Sequence, residues 1–192
     1  MELVFATNNK HKVREISDLL DSNIRILGLA DLNITEDIPD DAETLEENAL
    51  FKARYVHEKT GKNVFADDTG LEVNALGGAP GVYSARYAGE SKSFDDNIEK
   101  LLREMHGAND RSARFRTVIA LILDGTEYLF EGTIEGEIIR ERRGTGGFGY
   151  DPVFLATGYD RTFAEIPLGE KNKISHRAKA MRQLLDFLNA RK

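Results

Sequence analysis

Cysteine and tryptophan are absent from the chain, and proline occurs only four times in 192 residues. Without cysteine there is no disulfide framework, thiol nucleophile or iron–sulfur cluster, so any metal must bind to carboxylates or to the four histidines. Long apolar runs are missing as well: residues 118–123 form one of the longest, far short of the about 20 residues that span a bilayer. We therefore expect a protein without a membrane segment, located in the cytoplasm.

A basic excess is also missing, since the formal net charge at pH 7 is -7. Domains that coat nucleic acid usually carry many surplus lysines and arginines, so we expect no nucleic-acid partner. The hydrophobic content of 41% is enough for a single domain over residues 1–192 with a substantial core. The basic residues form three local clusters, which are either solvated surface or sites for a small anion: Lys10, Lys12 and Arg14; Arg140, Arg142 and Arg143; Lys171, Lys173 and Arg177.

Strand and helix patterns alternate along the chain. Residues 3–6 are typical of a short buried strand, and apolar residues over 13–20 then recur at helical spacing. Thr44 and Glu47 form a capping box for a second helix. The pattern favours an α/β fold with a mixed sheet. Further strands are predicted over residues 63–66, 113–123 and 128–139, with a turn at Asp124-Gly125, and further helices over residues 98–105 and from Ser175 onward.

Thr7-Asn8-Asn9-Lys10 occupies the predicted turn between the first strand and the first helix. The segment supplies a hydroxyl, two amides and an ammonium where the unpaired N–H groups and the helix dipole favour a phosphate. The alternative is an ordinary N-cap, because threonine and asparagine cap helices routinely.

Asp67 and Asp68 follow the predicted strand 63–66, at the carboxyl end where open α/β sheets bind their ligands. Carboxylate oxygens suit magnesium, and a carboxylate beside a metal-bound triphosphate would deprotonate a water molecule. The alternative is a pair of aspartates that cap or form a turn.

Residues 142–152 combine arginines, glycines, two aromatic rings and a carboxylate, which suits a nucleotide. Phe148 or Tyr150 would stack on a flat base, and Asp151 would accept hydrogen bonds from its edge. The spacing of Gly144, Gly146 and Gly149 matches the dinucleotide-binding fingerprint only formally, because no helix is predicted to follow it. The alternative is a glycine-rich hairpin loop with core aromatics.

Ser175-His176-Arg177 begins the last predicted helix. The helix dipole disfavours cations there unless an anion or a carbonyl group binds them. The placement indicates a ligand, although a single histidine there is commonly a satisfied surface residue. Glu36 and Asp37 begin an acidic stretch that would reach a metal or would simply be solvated.

Together these motifs resemble the non-canonical purine NTP pyrophosphatase family (inosine triphosphate pyrophosphatase, Ham1-like). They follow one another in order from residue 7 to residue 177, so the resemblance covers almost the whole chain. Each motif alone would be weak evidence. The matching segments are residues 7–12, 65–71, 77–86, 144–152 and 171–177.

The resemblance implies hydrolysis of ITP, dITP and XTP to the nucleoside monophosphate and pyrophosphate, which clears deaminated purines from the nucleotide pool. It also implies a magnesium-dependent homodimer. The implied fold is an α/β protein in which a long mixed β-sheet, flanked by helices, links two lobes with the active site in the cleft between them.

Individual roles also follow from the resemblance. Asp68 would be the general base and a metal ligand, and Glu36 would be a second metal ligand. The residues that would bind the phosphates are Thr7, Asn8, Asn9, Lys10, His11, Lys12, Lys52 and Thr69. The residues that would bind the base are Phe148, Gly149, Tyr150, Asp151, Lys171, Ser175, His176 and Arg177.

The chemistry of arginine agrees with this specificity. Arg177 only donates hydrogen bonds, so it would satisfy a 6-keto oxygen and would find no partner in the 6-amino group of adenine. Three alternatives remain open: a Maf-type pyrophosphatase acting on modified nucleotides, a sensor that binds a purine triphosphate without hydrolysing it, and a structural domain with a glycine-rich loop. The residues 175–177 argue against the Maf-type enzyme, and Asp68 beside Thr69 argues against the sensor.

Overall fold

The computed structural model describes residues 1–20 and 22–191. The chain forms two compact units, each with its own core. Unit 1 comprises Met1–Asp68, Thr117–Gly132 and the residues from His176 onward, and unit 2 comprises Thr69–Arg116 and Thr133–Ser175. Among the described residues, no helix has both the length and the apolar character needed to cross a membrane.

Seven strands form one sheet in the order β2-β1-β3-β5-β6-β7, with β4 paired to β3. Strand β1 is parallel to β2 and to β3, whereas β3 is antiparallel to β4 and β6 is antiparallel to β7. The prediction of an α/β fold with a mixed sheet is therefore confirmed. The strands are β1 (Glu2–Phe5), β2 (Arg25–Leu27), β3 (Val64–Val73), β4 (Pro80–Gly81), β5 (Ser112–Leu123), β6 (Thr126–Ile138) and β7 (Phe154–Ala156).

Side-chain caps define where the first two helices begin. Asn9 caps the first helix through its Oδ1, which accepts from the backbone N–H of His11 at 3.0 Å and of Lys12 at 3.3 Å. Thr44 caps the second helix as predicted, accepting from the N–H of Glu47 at 3.2 Å. The helices are α1 (Lys10–Ser17), α2 (Leu45–Thr60), α3 (Phe94–Glu104), α4 (Leu168–Ile174) and α5 (His176–Asn189), with 3-10 turns at Ala30–Leu32, Asn74–Leu76, Ser84–Arg86 and Asp151–Val153.

The prediction that a strand ends before Asp67 was wrong, because β3 continues through both aspartates to Val73. Leu71 and Val73 are buried in the core of unit 2, so apolar burial sustains the strand beyond the acidic pair. The two carboxylates consequently lie in the middle of a strand, where successive side chains point to opposite faces of the sheet.

The predicted turn between the two long strands is confirmed. Asp124 and Gly125 have φ values of 50° and 79° and join β5 to its neighbour β6. Two successive left-handed residues are typical of a tight two-residue β-hairpin.

Each unit buries a set of apolar residues against its part of the sheet. In unit 1 the rings of Phe5 and Phe65 stack with centroids 4.5 Å apart, and the predicted apolar face of α5 packs nearby. The core of unit 1 includes Leu3, Ile16, Ile119, Leu121, Met181, Leu184 and Leu188. The core of unit 2 includes Leu71, Val73, Ile98, Leu101, Met105, Phe115, Phe154 and Phe163.

Helix α4 was not predicted. It spans only seven residues, Leu168–Ile174, and ends at Ser175, whose extended conformation separates it from α5. A helix of two turns carries too short an apolar pattern to be recognised by periodicity.

Gly132 in β6 fits directly beneath the first turn of α5. A Cβ atom at this position would lie 2.1 Å from the carbonyl oxygen of His176 and 2.6 Å from the backbone nitrogen of Ala180. We expect Gly132→Ala to lower the free energy of unfolding by about 1–3 kcal/mol, since rigid backbone must move. Urea denaturation would measure this change.

Gly169→Ala in α4 is the matched control, because a Cβ atom there meets nothing within 4 Å. It should leave stability unchanged or raise it by up to about 1 kcal/mol, as alanine favours helix. Equal midpoints for the two variants would show that α5 does not pack tightly on Gly132.

Candidate active site

Asp67 lies at the centre of a buried cluster of charges in unit 1. One carboxylate oxygen accepts from the ammonium of Lys12 at 3.0 Å, and the other accepts from Nε of Arg177 at 3.0 Å. Arg177 also donates through Nη1 to the carboxylate of Glu15. Strand β3, helix α1 and helix α5 thus supply alternating charges to one network.

Burial makes this network tight. Asp67 is 1% exposed, Arg177 is 1% exposed and Glu15 is 4% exposed. Burial by itself raises the pKa of Asp67, but Lys12 and Arg177 outweigh it and hold the pKa far below the usual range. Arg177 responds in the opposite direction: burial lowers its pKa, and Glu15 and Asp67 raise it above the usual value.

Lys12 keeps part of its side chain in contact with solvent, with 13% of the side chain exposed. Burial lowers the pKa of Lys12, while Asp67 raises it. Lys12 therefore presents an ammonium group whose position is set by Asp67 and which a ligand can still reach.

Asp68 belongs to a separate cluster. Its carboxylate accepts from Nδ2 of Asn48 at 3.1 Å and from Nζ of Lys52 at 3.5 Å. Nζ of Lys52 also lies 3.3 Å from a carboxylate oxygen of Asp40 and donates to the backbone carbonyl of Asp67 at 2.8 Å. Two carboxylates thus converge on one buried ammonium.

This second cluster has its own electrostatic balance. Burial raises the pKa of Asp68, Lys52 lowers it and Asp40 raises it, and the net pKa lies above the usual value for aspartate. Burial lowers the pKa of Lys52, but Asp68 and Asp40 raise it above the usual value. Asp68 therefore holds a proton more readily than an exposed aspartate does, a property suited to a general base.

The predicted phosphate-binding turn lies at the N-terminus of α1. The hydroxyl oxygen of Thr7 accepts from the N–H of Asn9 at 3.1 Å, and Asn9 caps the helix. The N-cap alternative is therefore realised by Asn9, and the phosphate role of this turn stays a prediction. Asn8, Lys10 and His11 are exposed.

Glu36 interacts elsewhere on α2. Its carboxylate accepts from the hydroxyl of Tyr55 at 2.8 Å and from the ammonium of Lys59. The acidic stretch brings Asp40, rather than Glu36, to Lys52. The role of Glu36 as a metal ligand stays a prediction.

In unit 2, Asp151 organises the residues predicted to bind a base. Its Oδ2 accepts from Nζ of Lys171 at 2.7 Å and from the N–H of Phe148 at 3.0 Å. Both members of the Asp151–Lys171 pair are buried, and Nζ of Lys171 lies 5.1 Å from the ring centroid of Phe148. Carboxylate, ammonium and aromatic ring therefore form one compact group.

The glycines of this loop permit a close approach to Asp151. Gly147 has a φ of 66°, and a Cβ atom there would lie 2.1 Å from Oδ2 of Asp151. Gly149 also has a left-handed φ of 59°. Tyr150 points into the core, where its hydroxyl donates to the carbonyl of Ser84 at 2.6 Å, and burial raises its pKa. Phe148 is thus the more exposed of the two rings.

The remaining predicted residues lie at junctions of the chain. Thr69 is half-buried and directly follows Asp68 in β3. Ser175 and His176 are buried where α4 ends and α5 begins, so the alternative of a surface histidine was wrong.

The sequence did not single out Glu15, Asp40 or Asn48. Asn48 stands four residues before Lys52 on α2, so helical spacing alone places both side chains on one face. Nothing in the acidic stretch distinguishes Asp40 from its neighbours, and Glu15 lies in a polar helix where an exposed position is the ordinary expectation.

Buried carboxylates paired with lysines beside a helix N-terminus define a protein equipped for phosphate chemistry on an α/β fold. A model of the Ham1 family matches residues 3–187. The chain belongs to this family.

Individual relatives agree along the whole chain. The dITP/XTP pyrophosphatase of Flavobacterium johnsoniae is 56% identical over 192 residues, covering 100% of both chains. The dITP/XTP pyrophosphatase of Porphyromonas gingivalis is 55% identical over 188 residues, covering 97% of each. The structure of the Staphylococcus aureus Ham1 protein matches with a TM-score of 0.90 at 41% identity, covering 100% of both chains. A HAM1 protein from Coxiella burnetii matches with a TM-score of 0.90 at 41% identity, covering 99% of both chains.

We expect Asp67→Asn to lower the free energy of unfolding at pH 7 by about 3–5 kcal/mol, because Lys12 and Arg177 lose their shared buried counter-charge. The pKa of Asp67 is lowered on folding. Its contribution is therefore complete above the unfolded-state pKa of about 3.9 and is lost as the pH falls below that value. Urea denaturation between pH 3 and pH 7 should show the gap between wild type and variant narrowing toward acid.

The exposed Asp186 on α5 provides a control, since Asp186→Asn removes one carboxylate from the same unit without touching the network. A gap for Asp67→Asn that stays constant across this pH range would contradict the electrostatic account.

Proposed function

We propose that the chain hydrolyses the bond between the α- and β-phosphates of deaminated purine nucleoside triphosphates, namely ITP, dITP and XTP. The products are the nucleoside monophosphate and pyrophosphate. The observation that supports this most strongly is the Asp40–Lys52–Asp68 cluster, in a member of a family whose relatives are named dITP/XTP pyrophosphatases. Hydrolysis removes these nucleotides from the pool before a polymerase uses them.

Nucleotide pyrophosphatases of this family generally depend on a metal ion. Within residues 1–20 and 22–191, no group of three or more His, Cys, Asp or Glu side chains is arranged to hold one. Magnesium, however, is commonly bound by one or two carboxylates together with substrate phosphates. The carboxylates of Asp40 and Asp68, which approach the same cationic position at Lys52, fit that requirement. Bound Mg²⁺ would neutralise charge on the phosphate oxygens.

The reaction itself uses residues of this chain. The carboxylate of Asp68, with its raised pKa, accepts a proton from a water molecule as the water oxygen attacks the α-phosphorus. The bond from the α-phosphorus to the bridging oxygen breaks, and pyrophosphate leaves. Lys12, Lys52 and the positive end of the α1 helix dipole stabilise the charge on the departing phosphates.

Base recognition is assigned to Phe148, Asp151 and Lys171. Arg177 is assigned the hydrogen bond to a 6-keto oxygen of the base. Arg177 donates through Nε to Asp67 and through Nη1 to Glu15, and a guanidinium group only donates hydrogen bonds. Adenine presents a 6-amino donor instead, and a site built for an acceptor rejects it by up to about four or five powers of ten. The role of Arg177 in this choice stays a prediction.

The oligomeric state and the cellular location of the enzyme belong to the same proposal. The chain works as a homodimer in the cytoplasm, in keeping with the absence of cysteine and with the family resemblance. Light scattering coupled to size exclusion would give the mass of the particle, and a mass of one chain would refute the dimer.

The first test is the release of pyrophosphate and orthophosphate from ITP, dITP, XTP, GTP and ATP by the purified protein, with and without Mg²⁺. We expect metal-dependent pyrophosphate release mainly from ITP, dITP and XTP, because the base site offers donors to a 6-keto oxygen. Orthophosphate as the product would contradict attack at the α-phosphorus. Stabilisation of the protein by ITP without any release would favour a sensor over an enzyme.

The roles of the two carboxylates at Lys52 can be separated. Asp68→Asn should lower kcat by about two to four powers of ten at any Mg²⁺ concentration, because the proton acceptor is lost. Asp40→Asn should instead raise the Mg²⁺ concentration needed for half-maximal rate and recover in excess Mg²⁺, because only one metal ligand is lost.

Glu36→Gln is the comparison for both variants, because Glu36 binds Tyr55 and Lys59 rather than Lys52. A larger shift in the Mg²⁺ requirement for Glu36→Gln than for Asp40→Asn would identify Glu36 as the metal ligand. Near wild-type turnover by Asp68→Asn would remove Asp68 from the mechanism.

A further inference from the structure

The backbone of the loop that carries Phe148 has little stiffness of its own. Four of residues 144–149 are glycines. Gly144, Gly147 and Gly149 have left-handed φ values of 89°, 66° and 59°. Because glycine has the widest conformational freedom, the direction of the Phe148 ring must be set by side-chain contacts.

Lys171 and Phe94 both contact the ring of Phe148. Nζ of Lys171 lies 5.1 Å from the ring centroid of Phe148. Phe94 is the first residue of α3. The centroid of its ring lies 6.1 Å from that of the Phe148 ring, and the two ring planes are inclined by 50°. The hydrogen bond from the Phe148 N–H to Asp151 fixes the backbone and leaves the side-chain torsions free.

The first turn of α3 is also tied to the loop by Arg142. Its Nη1 pairs with the carboxylate of Asp95, and its Nη2 donates to Glu99 at 2.7 Å and to the carbonyl of Asp95 at 3.2 Å. Ser93 caps the same turn by accepting from the N–H of Asp96 at 3.2 Å. One end of the loop and the ring of Phe94 are therefore both attached to the first turn of α3.

Arg142 is thus paired with carboxylates of α3, whereas its basic cluster in the sequence also suited a small anionic ligand. Arg143 is engaged in a similar way, since its Nε pairs with Glu165 at 2.8 Å and its Nη2 donates to the carbonyl of Asp160 at 2.8 Å. The two arginines anchor the loop to elements on either side of it in the sequence.

Phe94 is 42% exposed, so it contributes little to the core of unit 2. Its removal would open no large cavity, while the Phe148 ring would lose an aromatic neighbour at the distance typical of inclined ring pairs.

We propose that Phe94 is a positioning residue that holds the Phe148 ring in the orientation that stacks on the substrate base, with the first turn of α3 as its support. This inference rests on the proposed function, in which Phe148 stacks on the base. Phe94 acts through Phe148 and does not itself touch the phosphates.

The test compares a ligand that carries a base with one that has none. For Phe94→Ala we expect the Kd of IMP and the KM of ITP to rise about two- to tenfold, the range of a lost aromatic pair, with a smaller change in kcat. The Kd of inorganic triphosphate should stay within about twofold of wild type, because the phosphate residues are untouched. Phe94→Tyr, which keeps the ring, should restore both values for the base-bearing ligands.

Phe94→Leu keeps apolar volume without an aromatic face and should also raise the Kd of IMP. The test therefore does not depend on the alanine variant folding well. Tyr159→Ala is the matched control, since Tyr159 is another exposed aromatic of unit 2, at 37% exposure. Tyr159→Ala should change neither the Kd of IMP nor the Kd of inorganic triphosphate.

Three results would overturn the inference: an unchanged Kd of IMP in both variants that lack the ring, equal weakening of IMP and inorganic triphosphate, or failure of Phe94→Tyr to rescue. Failure of the proposed function would look different, because wild type itself would then neither bind IMP nor release pyrophosphate from ITP.

Discussion

Four charged side chains meet in the interior of unit 1, and the residues assigned to phosphate chemistry depend on their mutual neutralisation. Lys12 and Arg177 carry positive charge, and Glu15 and Asp67 carry negative charge. A buried charge is tolerated only when a counter-charge and hydrogen bonds replace the water it has lost. Because the partners come from α1, β3 and α5, the network holds together three elements that are far apart in the sequence.

The alternation of side chains along strand β3 separates this structural network from the proposed reactive centre at Asp68. Asp67 and Asp68 are adjacent in β3, and their side chains point to opposite faces. Asp67 neutralises Lys12 and Arg177, whereas Asp68 faces Asn48 and Lys52. Lys12 and Arg177 therefore hold the pKa of Asp67 below the usual range, whereas burial raises the pKa of Asp68, a shift suited to proton transfer.

Unit 2 places the aromatic ring of Phe148 on a glycine-rich loop. Glycines allow the loop to approach Asp151 closely, at the cost of backbone stiffness. Asp151 and Lys171 hold the loop from the buried side, and Arg142, Arg143 and Phe94 hold it from the exposed side. Arg142 and Arg143, whose sequence cluster suited a small anion, thus attach the loop to neighbouring elements instead.

Local patterns in the sequence were enough to determine the α/β class, the hairpin at Asp124-Gly125, the cap at Thr44, the apolar face of α5 and the motifs that identify the family. These features depend on short-range periodicity and turn chemistry, which neighbouring residues decide. Tertiary structure alone decided that β3 runs through the aspartates, that Asp40 rather than Glu36 reaches Lys52, and that Glu15 is buried against Arg177. Such pairings join residues distant in the chain, and their energy comes from desolvation and charge compensation that exist only once the elements have packed.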